Sequence, residues 1–165
     1  MSHKTNVMRL LDKAEVSYSA HNFLPLKKGE EVSYHQISER TGVSPDRIFK
    51  TILAKGGLGN YYVLVIQGMA SVDLKKVAAV FNEKSVQLAD LEELLKVTGY
   101  VRGGCSPIGM KKPLPTVIDE KALEFEKILV SAGKRGYQVE INPKDLVLIT
   151  GSKVADIHSD HQSIF

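Results

Sequence analysis

Tryptophan is absent from this 165-residue chain, and cysteine occurs once, at Cys105. A lone cysteine excludes an internal disulfide and cannot build a cysteine zinc cage. It suits a reducing compartment. Long hydrophobic runs are missing too: the most apolar stretch, Tyr61 to Ile66, is far too short to span a bilayer. The opening Met1-Ser2-His3-Lys4 has neither the apolar core nor the cleavage pattern of a secretory leader. A cytoplasmic protein with no membrane partner is therefore expected. No repeat, low-complexity tract or Pro/Gly/Ser linker divides the chain, so residues 1–165 read as one domain.

An excess of one charge is lacking as well. The 22 basic and 19 acidic residues leave +3, too little to establish a nucleic-acid partner. The basic residues are, however, paired along the chain as Lys27-Lys28, Lys75-Lys76, Lys111-Lys112 and Lys134-Arg135. Gathered on one face, such pairs make a phosphate-binding surface; left apart, they are a solvated exterior.

Hydrophobic spacing supplies the elements. Val7, Leu10, Leu11 and Ala14 recur at helical period, and Val16 to Phe23 alternates as a strand. Ser33 caps a helix ending at Gly42, and Ser44-Pro45-Asp46 starts another short turn. Lys50–Lys55 and Tyr61–Gln67 form the clearest hairpin, joined through Gly56-Gly57-Leu58-Gly59-Asn60. Helices follow from Ser71 to Asn82 and from Asp90, separated by a strand at Ser85–Leu88. Strands are expected at Thr116–Ile118, Lys127–Ser131 and Tyr137–Ile141, and a last helix from Asn142 to Gly151. This irregular mixture predicts an α+β fold around a mixed sheet. Asp156 to Phe165 shows no period and is expected to fray.

Several familiar chemistries fail on residue type. Gly104 and Gly109 have the spacing that begins a P-loop, but Met110 stands where its lysine is needed. His158 and His161 share a helical spacing without an evident acidic ligand, and solvated histidines are expected rather than a metal site. No histidine neighbours Cys105 in sequence, so an inert buried thiol is expected there. Two features stand out. Lys50 falls among Phe49, Ile52, Leu53 and Ala54, where its ammonium either snorkels to water or is aimed into a pocket. Gly103-Gly104-Cys105-Ser106-Pro107-Ile108-Gly109 is either a tight connection or a loop that aims backbone N–H groups at a carbonyl or oxyanion.

Four segments in order, Phe49-Lys50-Thr51, Gly104–Gly109, Leu114-Pro115-Thr116-Val117-Ile118-Asp119 and Val130-Ser131-Ala132-Gly133-Lys134-Arg135-Gly136, resemble the YbaK/EbsC family of Cys-tRNA(Pro) deacylases. These are relatives of the editing domain inserted in bacterial prolyl-tRNA synthetases. The resemblance runs from about Asn6 to Asp156. It implies a central, barrel-like mixed sheet wrapped by helices. It further implies hydrolysis in trans of cysteine wrongly attached to proline tRNA, in association with prolyl-tRNA synthetase, with alanine as the second candidate substrate. A non-catalytic module binding tRNA or the synthetase is the alternative. No metal or other cofactor is implied. By resemblance Lys50, Gly104 and Gly109 are the catalytic positions. Phe23, Thr51, Cys105, Ser106, Pro107, Ser131 and Gly133 line the substrate pocket. Separately from the resemblance, the basic pairs Lys75-Lys76, Lys111-Lys112 and Lys134-Arg135 are expected to contact the tRNA if folding gathers them on one face. Phe23 stands where the family pattern has a tyrosine, and Gln138 where an aspartate is common. In the cysteine-specific branch the substrate's own thiol attacks the ester carbonyl, and the enzyme mainly orients the reactants.

Overall fold

The structure, a computed structural model, describes residues 4–160. Thr5 caps helix α1 (Asn6–Lys13), its hydroxyl accepting from the Met8 N–H, and α1 buries Val7, Met8 and Leu11. Strand β1 (Tyr18–Asn22) follows. Helix α2 (Tyr34–Thr41) opens on a reciprocal cap between Ser33 and Gln36, and Gly42 at φ 77° ends it. The hairpin of β2 (Phe49–Lys55) and β3 (Tyr61–Gln67) is in the expected place. The Glu83 carboxylate clamps its turn, accepting from the Gly57 N–H at 3.1 Å, the Asn60 amide and the Tyr62 hydroxyl.

Helix α3 (Leu74–Val80), strand β4 (Gln87–Leu88) and helix α4 (Leu91–Thr98) come next, capped by Asp73 and Asp90. The second half contains β5 (Thr116–Asp119), β6 (Ile128–Ser131), β7 (Tyr137–Ile141), α5 (Pro143–Thr150) and β8 (Lys153–Ala155). Strand β8 is absent from the sequence reading. Three residues between Gly151 and Asp156 show no alternation to recognise, and a parallel pairing with β5 creates the strand.

The barrel implied by the family resemblance is not what forms. Among the described residues two open sheets form, a three-stranded antiparallel sheet in the order β1-β7-β6 and a five-stranded mixed sheet in the order β4-β2-β3-β5-β8. They approach each other at a parallel bridge between Ile48 and Leu129. One core lies between them, with Phe49, Val65 and Ile118 facing Ile128, Val130 and Val139, and α1 and Leu146 of α5 closing its ends. A second lies on the opposite face of the five-stranded sheet, where Leu64, Ile66 and Val117 meet Val77 and Ala78 of α3. Covered on both faces, β3 reads as a continuous apolar run rather than an alternating one.

The expected fraying of the last residues is overturned for 156–160. Ile157 is fully buried, and its N–H donates to Asp119 at 2.8 Å. His158 bridges Val72, and its Nδ1 lies 2.9 Å from the Asp119 carboxylate. His158 is therefore docked rather than solvated; His161 lies outside the described residues. No helix among the described residues is long and apolar enough to cross a membrane.

Candidate active site

Strand β2 has neighbours on both edges, but one edge is covered only at its ends. β4 pairs with Ala54 and Lys55, and β6 touches through Ile48. Between them Lys50, Thr51 and Ile52 are left without a strand on that side. Backbone polarity alternates along a strand. The Ile48 carbonyl accepts from Gly68 on the β3 side, and the Leu53 carbonyl accepts from Ala89 on the β4 side. Thr51, in phase with Leu53, thus turns its backbone N–H and C=O into the gap.

A cleft of about 740 Å³ opens at this gap. Because it wraps the strand edge, residues from both faces of β2 line it, including Lys50 and Thr51. Ser131 of β6 and Gln138 of β7 form the wall from the smaller sheet, with Phe23 beside them. Arg102, Gly103, Cys105 and Arg135 come from the loops, and Tyr34 from the first turn of α2. Tyr34 packs against Gly68, where an added Cβ would stand 2.5 Å from the ring.

Lys50 is half-buried, and its Nζ donates to the Ala70 carbonyl at 2.8 Å. Burial lowers its pKa from the ordinary lysine value. No carboxylate among the described residues pairs with it. A cation held by a carbonyl and free of an acid is available to negative charge on a ligand. The neighbouring Thr51 Oγ1 is buried with no hydrogen-bond partner. A buried unsatisfied hydroxyl costs roughly 1–3 kcal/mol, and here that cost falls on a residue whose strand edge borders the cleft.

Activated protein nucleophiles are not found in this wall. Burial pushes the Cys105 thiol up to about 12, leaving it protonated at neutral pH. The Ser131 Oγ accepts from the Gly133 N–H at 3.1 Å, and no histidine among the described residues lines the cleft.

The other expected site residues separate. Of the glycine loop, Gly103 and Cys105 face the cleft, whereas Gly104, Ser106, Pro107 and Gly109 are not in its wall. Ser106 is fully buried and accepts from the Ile108 N–H at 3.2 Å. A Cβ on Gly104 would meet the Arg135 N–H nitrogen at 3.2 Å, and one on Gly109 would meet the Tyr100 hydroxyl at 3.0 Å. At Gly104, Ser106 and Gly109 the loop packs against its own neighbours. Gly133 lines a different depression, together with Lys134.

Among the basic positions only Arg135 reaches the cleft. Lys76 is bound to Asp156 at 3.0 Å and to the His158 carbonyl at 2.9 Å, so its charge is already neutralised. Lys75, Lys111 and Lys112 are exposed and line neither cavity. Tyr34 and Arg102 were not singled out by sequence; the helix cap at Ser33 and the adjoining Gly103-Gly104 pair were the local signals that could have found them. Asp119, Asp156 and His158 place three ligand atoms within 4.8 Å of one another. The His158–Asp119 hydrogen bond and the Lys76–Asp156 ion pair tie these groups to one another and hold residues 156–158 in place.

The sequence profile of the aminoacyl-tRNA editing domain matches residues 30–149, and the chain belongs to that family. Its class is that of aminoacyl-tRNA deacylases. Over 154 residues it is 40% identical to the Enterococcus faecalis protein named "Putative Cys-tRNA(Pro)/Cys-tRNA(Cys) deacylase EbsC", covering 93% of each chain. A stretch of 101 residues is 33% identical to the proline–tRNA ligase of Thermotoga maritima, of which it covers 17%. The fold is similar to that of the hypothetical protein APE2540, with a TM-score of 0.84 over 94% of this chain and 100% of the other, at 23% identity. It also resembles a crystal structure described as "a putative trans-editing enzyme for prolyl tRNA synthetase", with a TM-score of 0.79 over 96% and 99% of the chains, at 24% identity.

Proposed function

We propose that this protein removes cysteine wrongly attached to proline tRNA, acting in trans to prolyl-tRNA synthetase. The observation that carries the proposal is the cleft at the open edge of β2. It sets the acid-free Lys50 cation beside the open backbone edge at Thr51. A mischarged 3′ end brings groups that match: an ester carbonyl, ribose hydroxyls and a phosphate. The E. faecalis relative, whose name assigns it cysteinyl-tRNA substrates, supports the choice of amino acid. Size alone separates cysteine from proline poorly, which is why a second hydrolytic site is useful.

The chemistry is intramolecular. The cysteine thiol gives up its proton, sulfur bonds to the ester carbonyl carbon, and the carbon–oxygen bond to the ribose breaks. The ribose oxygen takes the proton, and a cyclic thioester leaves. Lys50 stabilises the negative charge that builds on oxygen, and the cleft wall fixes the thiol near the carbonyl. Such orientation contributes roughly 7–11 kcal/mol in favourable intramolecular reactions. A cleft without an activated nucleophile of its own suits this route.

The test is a deacylation panel on proline tRNA charged with cysteine, alanine, serine or proline. Cysteine should be released fastest. Serine should lag far behind, because a hydroxyl is far less acidic than a thiol of pKa about 8.5. Equal rates for serine and cysteine would replace substrate-thiol attack with attack by water. Release of none of the four would leave a tRNA-binding module.

A further inference from the structure

A second depression, of about 430 Å³, opens at the start of α1. Lys4, Arg9 and Lys134 line it, and all three are exposed. Lys4 is paired with Asp12, whose hydrogen bond raises the lysine pKa against repulsion from Arg9. Arg9 and Lys134 have no ion pair among the described residues. The Lys134 ammonium instead lies 5.2 Å from the centroid of the Tyr137 ring. The rest of the wall is polar and neutral, from Thr5, Asn6 and Tyr137, and the first turn of α1 carries no acid.

The depression shares an element with the cleft. Lys134 lines one and the next residue, Arg135, lines the other. The β6–β7 turn that carries them is held firmly: the Ala132 N–H donates to the Tyr137 carbonyl at 2.9 Å, and the Tyr137 N–H donates to the Lys134 carbonyl at 3.0 Å. Gly133, at φ +93°, sits so close to Tyr100 and Val7 that a Cβ would lie 3.1 Å from each. One turn thus separates the two cavities, and the cations of the second are not fully offset by any acid among the described residues. The same cannot be said of Lys76, which Asp156 neutralises.

We infer that the depression lined by Lys4, Arg9 and Lys134 seats the sugar-phosphate backbone of the tRNA whose 3′ end occupies the cleft. The inference rests on the function proposed above. Arginine and lysine at a polar, hydrogen-bonding hollow suit phosphates, and phosphate contacts fix register without reading sequence.

The experiment uses the full chain and uncharged proline tRNA, with binding followed by fluorescence anisotropy across a salt series. Arg9→Glu/Lys134→Glu is compared with Lys84→Glu/Lys144→Glu, which makes the same change in net charge at exposed sites outside both cavities. Each phosphate contact contributes about 0.7–0.9 to the slope of log affinity against log salt. The first variant should therefore bind about tenfold more weakly at low salt, with a slope smaller by about 1.5. The control should stay within about twofold of wild type. The milder Arg9→Gln/Lys134→Gln should fall between them. Equal binding by the two charge-reversed variants overturns the inference, and so does a wild-type protein that binds no tRNA. Deacylation is measured alongside on cysteinyl-tRNA and on the cysteine ester of adenosine. A loss in the Arg9/Lys134 variant confined to the tRNA supports the backbone seat, and an equal loss on the small ester overturns it. Wild-type inactivity on both esters sinks the proposed function, while the tRNA affinities still decide whether the seat exists.

Discussion

Replacing Lys50 by methionine keeps an unbranched stem in place and removes only the ammonium. Two consequences of opposite weight follow from its surroundings. The ammonium donates to the Ala70 carbonyl at 2.8 Å, and burial lowers its pKa. The folded state therefore holds this proton less firmly than the unfolded chain does. Below the folded pKa the charged amine opposes folding, and this penalty fades as pH rises toward the unfolded value. Loss of one hydrogen bond from a charged group costs about 1.5–3 kcal/mol, and relief of the desolvation penalty works against that loss. Thermal unfolding at neutral pH should thus place Lys50→Met within about 1 kcal/mol of wild type. Catalysis has no such compensation. A preorganised charge aimed at a developing oxyanion contributes about 3–4 kcal/mol, so single-turnover release of cysteine from proline tRNA should slow by about 10²–10³. A folded Lys50→Met protein that reacts within threefold of wild type would show that this lysine only packs. Comparing its rate with its unfolding midpoint separates the two roles in one protein preparation.

Cys105→Ala should retain most of the deacylase activity, because burial keeps this thiol protonated to about 12; a dead but folded variant would make Cys105 a participant. Gly68→Ala should lower stability by about 1–3 kcal/mol in chemical denaturation, since its Cβ would stand 2.5 Å from the Tyr34 ring. An unchanged midpoint would show that the ring is not held there. Glu93 accepts from the Tyr61 hydroxyl and the Lys55 ammonium, which bring its pKa down to about 2 from the ordinary 4.5. Its contribution to stability is complete above pH 4.5 and is lost as pH falls toward 2, so Glu93→Gln should flatten the acid limb of the unfolding-midpoint profile between those values.

Local signals carried most of the elements. The caps at Ser33, Asp90 and Asn142 and the left-handed stops at Gly42, Gly99 and Gly151 are short-range devices that leave direct marks on sequence. The expected helix from Ser71 begins only at Leu74, because Asp73 caps it and Val72 is drawn into a bridge with His158. That bridge also explains the missed chain end. Ile157 and His158 are held by Asp119, nearly forty positions away, and no local pattern encodes such an anchor. The two-sheet arrangement was obscured for a related reason. Ile48 meets Leu129 through one bridge, which is too little to leave a periodic signature and too little to close a barrel.

The site shows the same division between residue type and placement. Lys50 stood out because an amine within an apolar strand needs a destination, whereas the cleft depends on something no residue type records. β4 is only two residues long, and it pairs with β2 at Ala54 and Lys55 without reaching Thr51. A longer β4 would cover the Thr51 backbone and fill the gap with a regular ladder. The short strand instead leaves backbone groups, a buried hydroxyl and a cation along one open edge. Gly104 and Gly109 invited a catalytic reading because glycine permits close approach, yet what approaches them is Arg135, Leu10 and Tyr100. Glycine spacing reports that two surfaces must come close, and only the fold decides whether the second surface is substrate or the protein itself. Here the loop is pinned from behind at Gly104 and Gly109 so that Gly103 and Cys105 can border the cleft, which converts a packing constraint into placement of the cleft wall.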